Sequence, residues 1–181
     1  IKTMREFYKD KRIRMSLTGG EPFVHPKILD ILSLFKKYKV DETSIISNGS
    51  LPLEKYVKAL EYIDNIIFSW HFEHLRIDHM KSVLLGLKDK AKHTHVHLMY
   101  LPGRLDEVKG VVDWLQQNDI QYIMRRIRPM TNKEGKFNPP GASGMKFEGF
   151  QFGGAEGYYN DAELDYLNSF TKAGTNKNNC E

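Results

Sequence analysis

Residues 13–22 read I-R-M-S-L-T-G-G-E-P, and this stretch sets a pattern that the rest of the chain repeats. Ile13, Met15 and Leu17 alternate with polar residues, which is typical of a β-strand with one buried face. The strand runs into a glycine pair, a carboxylate and a proline. Glycines let the backbone turn sharply and lie close to another molecule, because they have no Cβ atom. The stretch therefore predicts a strand whose carboxyl end carries a turn accessible to a ligand, although an ordinary strand-to-helix turn has the same composition.

The unit of strand, turn and helix recurs along the chain. Five strands are predicted, at residues 13–17, 43–47, 65–70, 94–101 and 120–127. Helices are predicted between them from apolar residues three and four apart, at residues 28–38 with Pro26 as a first helical position, 54–63, 77–87 and 108–115. Ile1, Met4, Phe7 and Tyr8 predict a further amphipathic helix at the start. Such alternation indicates an α/β fold with a parallel sheet and right-handed crossovers.

Periodicity leaves the shape of the sheet open between a closed barrel, a partial barrel and a doubly wound sheet. In all three the ligand binds at the carboxyl ends of the strands. The residues to examine are therefore those that follow each strand. They are Gly19, Gly20, Glu21 and Pro22 after the first, Ser47, Asn48 and Gly49 after the second, Ser69 and His71 after the third, and Arg125 with its neighbours Arg126 and Arg128 after the fifth.

Composition excludes several classes of protein. With 181 residues, 40% of them hydrophobic and 28% charged, the chain lies in the globular range. No apolar run is long enough for a transmembrane helix, and the first residues form neither a signal nor a transit peptide. A net charge of +4 is too small to indicate a nucleic-acid partner. One cysteine, Cys180, excludes an internal disulfide and favours a reducing compartment.

Two motifs carry a family resemblance. Residues 17–23 (L-T-G-G-E-P-F), followed by a helix, and residues 46–50 (I-S-N-G-S), about twenty-five residues later, resemble the core of radical S-adenosylmethionine enzymes over roughly residues 1–130. The resemblance implies a partial (β/α)6 barrel and cytoplasmic location. It assigns Gly19, Gly20 and Glu21 to the amino group of the methionine moiety. Pro22, Ser47, Asn48, Gly49, Ser69 and His71 follow as neighbours of the amino-acid, ribose and adenine parts, and Arg125 as a partner for the methionine carboxylate or an acidic substrate.

The same resemblance implies the chemistry. In this superfamily a [4Fe–4S] cluster reductively cleaves S-adenosylmethionine to a 5′-deoxyadenosyl radical, which abstracts hydrogen from a substrate. An electron donor such as flavodoxin or ferredoxin supplies the reducing electron. The substrate is not readable from the sequence, and peptides are one class that the superfamily uses.

The chain departs from the family pattern in its cysteines. The family holds its cluster with Cys-x3-Cys-x2-Cys, and one cysteine cannot supply three thiolates. We expect the missing strand and cluster loop upstream of Ile1, so that the sequence is the middle of a longer protein. The ending N-N-C-E is similar to the entry into a SPASM or twitch extension, which would make Cys180 a ligand of an auxiliary iron–sulfur cluster. Residues 131–160, rich in Gly, Phe and Tyr, are expected to form a loop or lid, and residues 161–181 a short helix and the start of the extension.

Two other functions stay open at the sequence level. His93, His95 and His97 alternate on one predicted strand, which could place two imidazoles on a metal ion, and His71 and His74 follow a neighbouring strand. A metal-dependent hydrolase on an α/β barrel is therefore one alternative, although histidines bordering a polar interior give the same pattern. A non-catalytic module that docks peptides on the loop at residues 131–160 is the other.

Overall fold

The computed structural model describes residues 1–72, 76–91, 93–127, 130–131, 137–138, 151–152 and 159–172. Strands and helices alternate through most of this length. In chain order they are α1 (Lys2–Phe7), β1 (Arg14–Leu17), a 3-10 helix (Pro22–Val24), α2 (Ile28–Lys37), β2 (Glu42–Ser47), α3 (Leu53–Ala59), β3 (Asn65–His71), α4 (Ile77–Leu87), β4 (His93–Tyr100), α5 (Leu105–Gln117), β5 (Gln121–Arg126), β6 (Met130–Thr131), β7 (Phe137–Asn138), β8 (Gln151–Phe152) and α6 (Asp161–Lys172).

The main sheet contains five parallel strands in the order β1-β2-β3-β4-β5. Leu17 pairs with Ile45 on β2, and Ile45 pairs with Ile66 on β3. The strands have the same order in the sheet as along the chain. Each crossover helix therefore connects two strands that are neighbours in the sheet. The prediction of an α/β fold with a parallel sheet is confirmed, and each of the five predicted strands lies within two residues of its expected bounds.

Alternation along the strands separates a buried face of the sheet from a partly exposed one. On β3, Ile66, Phe68 and Trp70 are fully buried, whereas the residues between them are half-buried. The helices contribute their own buried apolar residues, among them Leu32, Tyr56, Met80 and Leu84. The partly exposed face carries polar groups at its amino end, where Glu42 accepts from Arg14 at 3.0 Å and from Asn65 at 3.3 Å. Polar side chains on this second face agree with its partial exposure.

The described residues divide into two compact units. The first consists of Ile1–Leu98 with Asp113–Ile123, and the second of Met99–Val112 with Met124–Glu181. Helix α6 of the second unit begins at Asp161, where the sequence predicted the start of a short helix. Asn160 and Glu163 form a reciprocal capping box, with N–H to side-chain distances of 2.9 and 3.0 Å. Glu163 also accepts from the Gly103 N–H at 2.5 Å, so one buried carboxylate joins two segments of this unit.

Several sequence predictions need correction. Helix α2 begins at Ile28, and Pro26 lies in the turn before it. It is Pro22 that occupies a first helical position, in the 3-10 helix. Helix α3 ends at Ala59 rather than at residue 63. Proline is compatible with either a turn or a first helical turn, so its presence alone does not fix a boundary.

Two further predictions agree with the structure only in part. Helix α1 forms as predicted, but its apolar residues stay exposed, with Phe7 at 79%. The stretch 131–160 was expected to lack regular structure, yet β6 pairs antiparallel with both β7 and β8. Strands of two residues are too short for periodicity to reveal. The remainder of that predicted loop or lid lies outside the described residues.

No helix in the part of the chain that the structure describes combines the length and apolar character needed to cross a membrane.

The segment before β1 is attached to the sheet by polar contacts. The Asp41 carboxylate accepts from the Ile13 N–H and from the Arg5 guanidinium, both at 2.7 Å. Arg5 also donates to the Lys39 carbonyl. The Ile13 hydrogen bond first, and then the Arg5 hydrogen bond, lower the pKa of Asp41 below its ordinary value of 3.8.

Asp41→Asn should weaken the acid dependence of stability. A depressed folded-state pKa means that the ionised carboxylate stabilises the fold above pH 3.8 and that this contribution is lost as pH falls through the folded-state value. Thermal unfolding between about pH 6 and pH 2.5 should therefore show a smaller fall in Tm for Asp41→Asn than for the parent protein. Exposed Asp10→Asn is the control, and an equal effect of both substitutions would contradict the role of Asp41.

Candidate functional site

A cavity of about 830 Å³ opens at the carboxyl ends of β1, β2 and β3. All of its lining residues belong to the first unit. They are Gly20, Glu21, Asn48, Gly49, Ser50, Ser69, His71, Arg76 and His79. The volume is within the range of small-molecule sites, and the position is the one expected for a parallel sheet.

The turn after β1 depends on its two glycines. Gly19 has a φ of +95° and Gly20 a φ of +53°, in the region that L side chains rarely adopt. A Cβ atom added at either position would meet no atom within 4 Å. Glycine is therefore required here by backbone conformation, and the space beside the turn is open to a ligand.

The Glu21 carboxylate joins the ends of the first two strands. Its Oε1 atom accepts from the Phe23 N–H at 3.1 Å, which caps the 3-10 helix. Both carboxylate oxygens lie 3.0 Å from Ser47 Oγ, and Oε2 accepts from the Asn48 N–H at 2.6 Å. Glu21 is thus held by three donors, two of them from the end of β2.

Behind Glu21, Ser47 contacts a buried tyrosine. Ser47 Oγ lies 3.2 Å from the Tyr56 hydroxyl, which accepts from the Leu51 N–H at 3.1 Å. Ser47 Oγ also accepts from the Gly49 N–H at 3.1 Å. Burial raises the pKa of Tyr56, although the hydrogen bond from the Leu51 N–H acts in the opposite direction. The hydroxyl therefore stays protonated across the neutral range and can serve as a donor.

Gly49 also fixes the distance between this turn and α4. Its φ is +71°, and a Cβ atom there would lie 2.3 Å from the Met80 methyl group. Met80 is fully buried. The turn after β2 is therefore packed directly against the helix that follows β3.

Basic groups lie on the β3 and α4 side of the cavity. His71 ends β3, Arg76 precedes the first residue of α4, and His79 lies in its first turn. His79 Nε2 is 3.0 Å from the Leu51 carbonyl, which can only accept, so this nitrogen carries a proton. The cavity thus has a carboxylate on the wall formed by β1 and β2 and potential cations on the other. This arrangement suits a ligand that carries both signs of charge.

The structure brings most of the sequence-predicted site residues together. Gly20, Glu21, Asn48, Gly49, Ser69 and His71 line the cavity. Gly19 and Pro22 flank that wall, and Ser47 is buried behind Glu21. Arg125 is exposed, belongs to the second unit and is not among the lining residues. Cys180, His74 and Arg128 lie outside the described residues.

Sequence analysis missed three lining residues and one supporting residue. Ser50, Arg76 and His79 were not selected, although each lies within eight residues of the end of β2 or β3. Extending the search from strand ends into the first turn of the next helix would have found Arg76 and His79. Tyr56 has no comparable signal, because an aromatic residue at helical spacing is typical of an apolar core.

The described part of the chain contains no metal site of the kind that the metal-dependent hydrolase alternative requires. His95 and His97 share a face of β4, with ring centroids 5.4 Å apart, and His93 is exposed. Among the described residues, no three His, Cys, Asp or Glu side chains are grouped so that they could hold a metal ion. Two neighbouring imidazoles on a half-buried face need no metal, since such histidines can form ordinary polar contacts there.

Comparison with known proteins gives a distant curated relative and several structural neighbours, among them SuiB. No protein-family model matches the chain. The 7-carboxy-7-deazaguanine synthase of Clostridium acetobutylicum is 23% identical over 154 residues, covering 70% of this chain and 69% of the synthase. SuiB of Streptococcus suis bound to S-adenosylmethionine superimposes with a TM-score of 0.62 at 18% identity. SuiB bound to its precursor peptide SuiA gives a TM-score of 0.61 at the same identity.

The likeness to SuiB shows the fold. The alignment with the S-adenosylmethionine complex covers 96% of this chain but only 37% of SuiB. The chain therefore matches about a third of that longer protein. The predicted partial barrel is confirmed by this match, within which the five-stranded parallel sheet and its helices are shared.

Substitution of the turn glycines should destabilise the protein through backbone conformation. Gly19→Ala and Gly20→Ala should each lower the free energy of unfolding by about 1–2 kcal/mol, and Gly20→Asn by less, since asparagine tolerates a positive φ. Gly110→Ala is the matched control. Gly110 lies exposed within α5 with open space around it, so alanine there should stabilise by about 0.5–1 kcal/mol. Urea denaturation measures all four, and equal effects of Ala at positions 20 and 110 would refute the conformational requirement.

Proposed function

From the premise that this chain has the core fold of the radical S-adenosylmethionine superfamily, we propose that its cavity binds S-adenosylmethionine as part of a radical enzyme. The single observation that carries the proposal is the distribution of charge around the cavity. A carboxylate and an open glycine turn lie on one wall, and Arg76 with two histidines lies on the other. SuiB, which shares the fold, has been crystallised with S-adenosylmethionine.

The residues present fit the methionine end of the cofactor. An ammonium group needs acceptors, and the wall at Gly19, Gly20 and Glu21 offers a carboxylate beside an open glycine turn. A carboxylate needs donors, and Arg76 provides a guanidinium that can bind it with two hydrogen bonds. We therefore assign the methionine carboxylate to Arg76 in preference to Arg125.

The remaining lining residues fit a nucleoside. Asn48, Ser50 and Ser69 supply short polar side chains that can exchange hydrogen bonds with ribose hydroxyls. Bound in this way, S-adenosylmethionine supplies a 5′-deoxyadenosyl group for radical chemistry after one-electron reduction. The contribution of this chain is to hold the two ends of the cofactor at fixed positions, which is the protein's usual share in cofactor chemistry.

The residues of this chain do not fit the iron–sulfur cluster that the superfamily uses. Three thiolates are needed, and the sequence contains only Cys180. No step through a cluster is derived for these residues. Ligands of such a cluster would have to come from residues outside this sequence, and we propose Cys180 as a ligand of a separate, auxiliary cluster.

A peptide is the proposed substrate class. The support is the structural neighbour SuiB, which was crystallised with the precursor peptide SuiA. The curated relative is a 7-carboxy-7-deazaguanine synthase, so the relatives do not share one substrate class. The proposed auxiliary cluster favours the peptide alternative, because the extension that it resembles occurs in many peptide-modifying members.

Loss of either charged wall should weaken S-adenosylmethionine binding. Glu21→Gln and Arg76→Gln each remove a charge-assisted interaction, and the dissociation constant should rise roughly 10- to 150-fold. Isothermal titration calorimetry on the longest expressed form of the protein measures this change. Arg12→Gln is the control, because Arg12 pairs with Glu42 at the opposite end of the sheet. Binding unchanged by both cavity substitutions would overturn the assignment, and a comparable loss in Arg125→Gln alone would return the carboxylate to Arg125.

Cys180→Ala should lower the iron content of the full-length protein by two to four atoms per chain, in keeping with common cluster sizes. Iron and acid-labile sulfide are measured in parallel on both forms after anaerobic purification. Equal iron in both forms would make Cys180 incidental.

The coding sequence upstream of Ile1 is the second test, since a full-length protein without Cys-x3-Cys-x2-Cys would not support the radical mechanism.

A further inference from the structure

We propose that Tyr56 is a positioning residue for the cofactor site. Its buried hydroxyl orients Ser47, and Ser47 holds the Glu21 carboxylate in the cavity wall. Tyr56 does not line the cavity, and the proposed effect passes through Ser47 and Glu21. The inference rests on the proposed function, because Glu21 is taken as part of the S-adenosylmethionine site.

The hydrogen bonds between these groups have one consistent direction. The Leu51 N–H can only donate, so it fixes the Tyr56 oxygen as its acceptor at 3.1 Å. An ionised Glu21 carboxylate can only accept, so the Ser47 proton points to it. The proton of the Tyr56 hydroxyl is then left for the Ser47 oxygen, 3.2 Å away.

Every hydrogen-bonding position of the Ser47 hydroxyl is occupied in this arrangement. Its single proton is donated to Glu21, and its oxygen accepts from Tyr56 and from the Gly49 N–H. A hydroxyl has one donor and two acceptor positions, so no position is left over. The serine therefore has one favoured rotamer, and the tyrosine hydroxyl is one of the groups that select it.

Packing holds the tyrosine in place independently of its hydroxyl. Tyr56 has no exposed surface, and its ring makes edge contacts with Phe23 at 4.8 Å and Phe68 at 5.3 Å between centroids. Phe23 follows Glu21 by two residues and donates its own N–H to that carboxylate. Tyr56→Phe keeps these ring contacts and removes only the oxygen, so the variant isolates the hydrogen-bonded chain.

A matched control exists at the other end of β2. Thr43 is buried like Ser47, and its hydroxyl lies 3.2 Å from the Tyr62 carbonyl and 3.1 Å from Asp64 Oδ2. Thr43→Val removes a buried hydroxyl from the same strand without a change of shape. It lies four residues before Ser47, which is at the end of β2 that meets Glu21. Both variants should lose stability, but only Tyr56→Phe should change the site.

The test is a double-mutant cycle on S-adenosylmethionine affinity. Tyr56→Phe should weaken binding about 3- to 10-fold, and Thr43→Val less than about twofold. In a Glu21→Gln background, Tyr56→Phe should have almost no further effect, because its influence passes through Glu21. An additive effect of the two substitutions, or equal losses in Tyr56→Phe and Thr43→Val, would overturn the proposal.

A second measurement uses no cofactor and separates this inference from the proposed function. The amide protons of Phe23 and Asn48 report their hydrogen bonds to Glu21 in NMR spectra. Tyr56→Phe should shift both resonances, and Thr43→Val should leave them in place. Unmoved amides contradict the positioning role whatever the protein binds. Shifted amide resonances in a protein that does not bind S-adenosylmethionine would support the positioning role of Tyr56 and refute the proposed function.

Discussion

The Glu21 carboxylate is the contact on which the arrangement of the site depends. It closes the turn after β1 by capping the 3-10 helix, and it accepts two further donors from the end of β2. Parallel strands are joined only by long crossovers, so their carboxyl ends have no hairpin to fix them. A single anionic side chain performs that function here. The left-handed glycines before it, and the loop after β2, take their positions from the same contact.

Glu21 therefore combines a structural role in the turn with a proposed role in ligand binding. A carboxylate with three protein donors has limited capacity for a further partner, since its two oxygens accept about four hydrogen bonds. Much of the negative charge nevertheless remains at the cavity wall, where a cationic ligand group would meet it. Arg76 and His79 lie at the start of α4, and His71 ends β3. The site is thus built from three strand ends and one helix start.

Sequence patterns predicted the sheet better than they predicted the site. The five strands were found because alternation and strand-end turns are local signals, and the glycine motif pointed to the end of the sheet where the cavity lies. Arg76 was not found, because a cation at a helix start looks the same whether it faces solvent or a cavity. Tyr56 was not found, because its aromatic ring fits the apolar pattern and its hydroxyl acts across the fold. Contacts between distant segments leave no periodic trace.

The close approach of Gly49 to Met80 links the turn after β2 to α4. Any side chain at position 49 would collide with the end of Met80, and a positive φ already favours glycine there. Met80 lies one residue after His79, in the helix turn that lines the cavity. Evolutionary change at either position is therefore constrained by the other. In homologous sequences the two should be inherited as a pair, with a bulkier residue at 49 accompanied by a shorter one at 80.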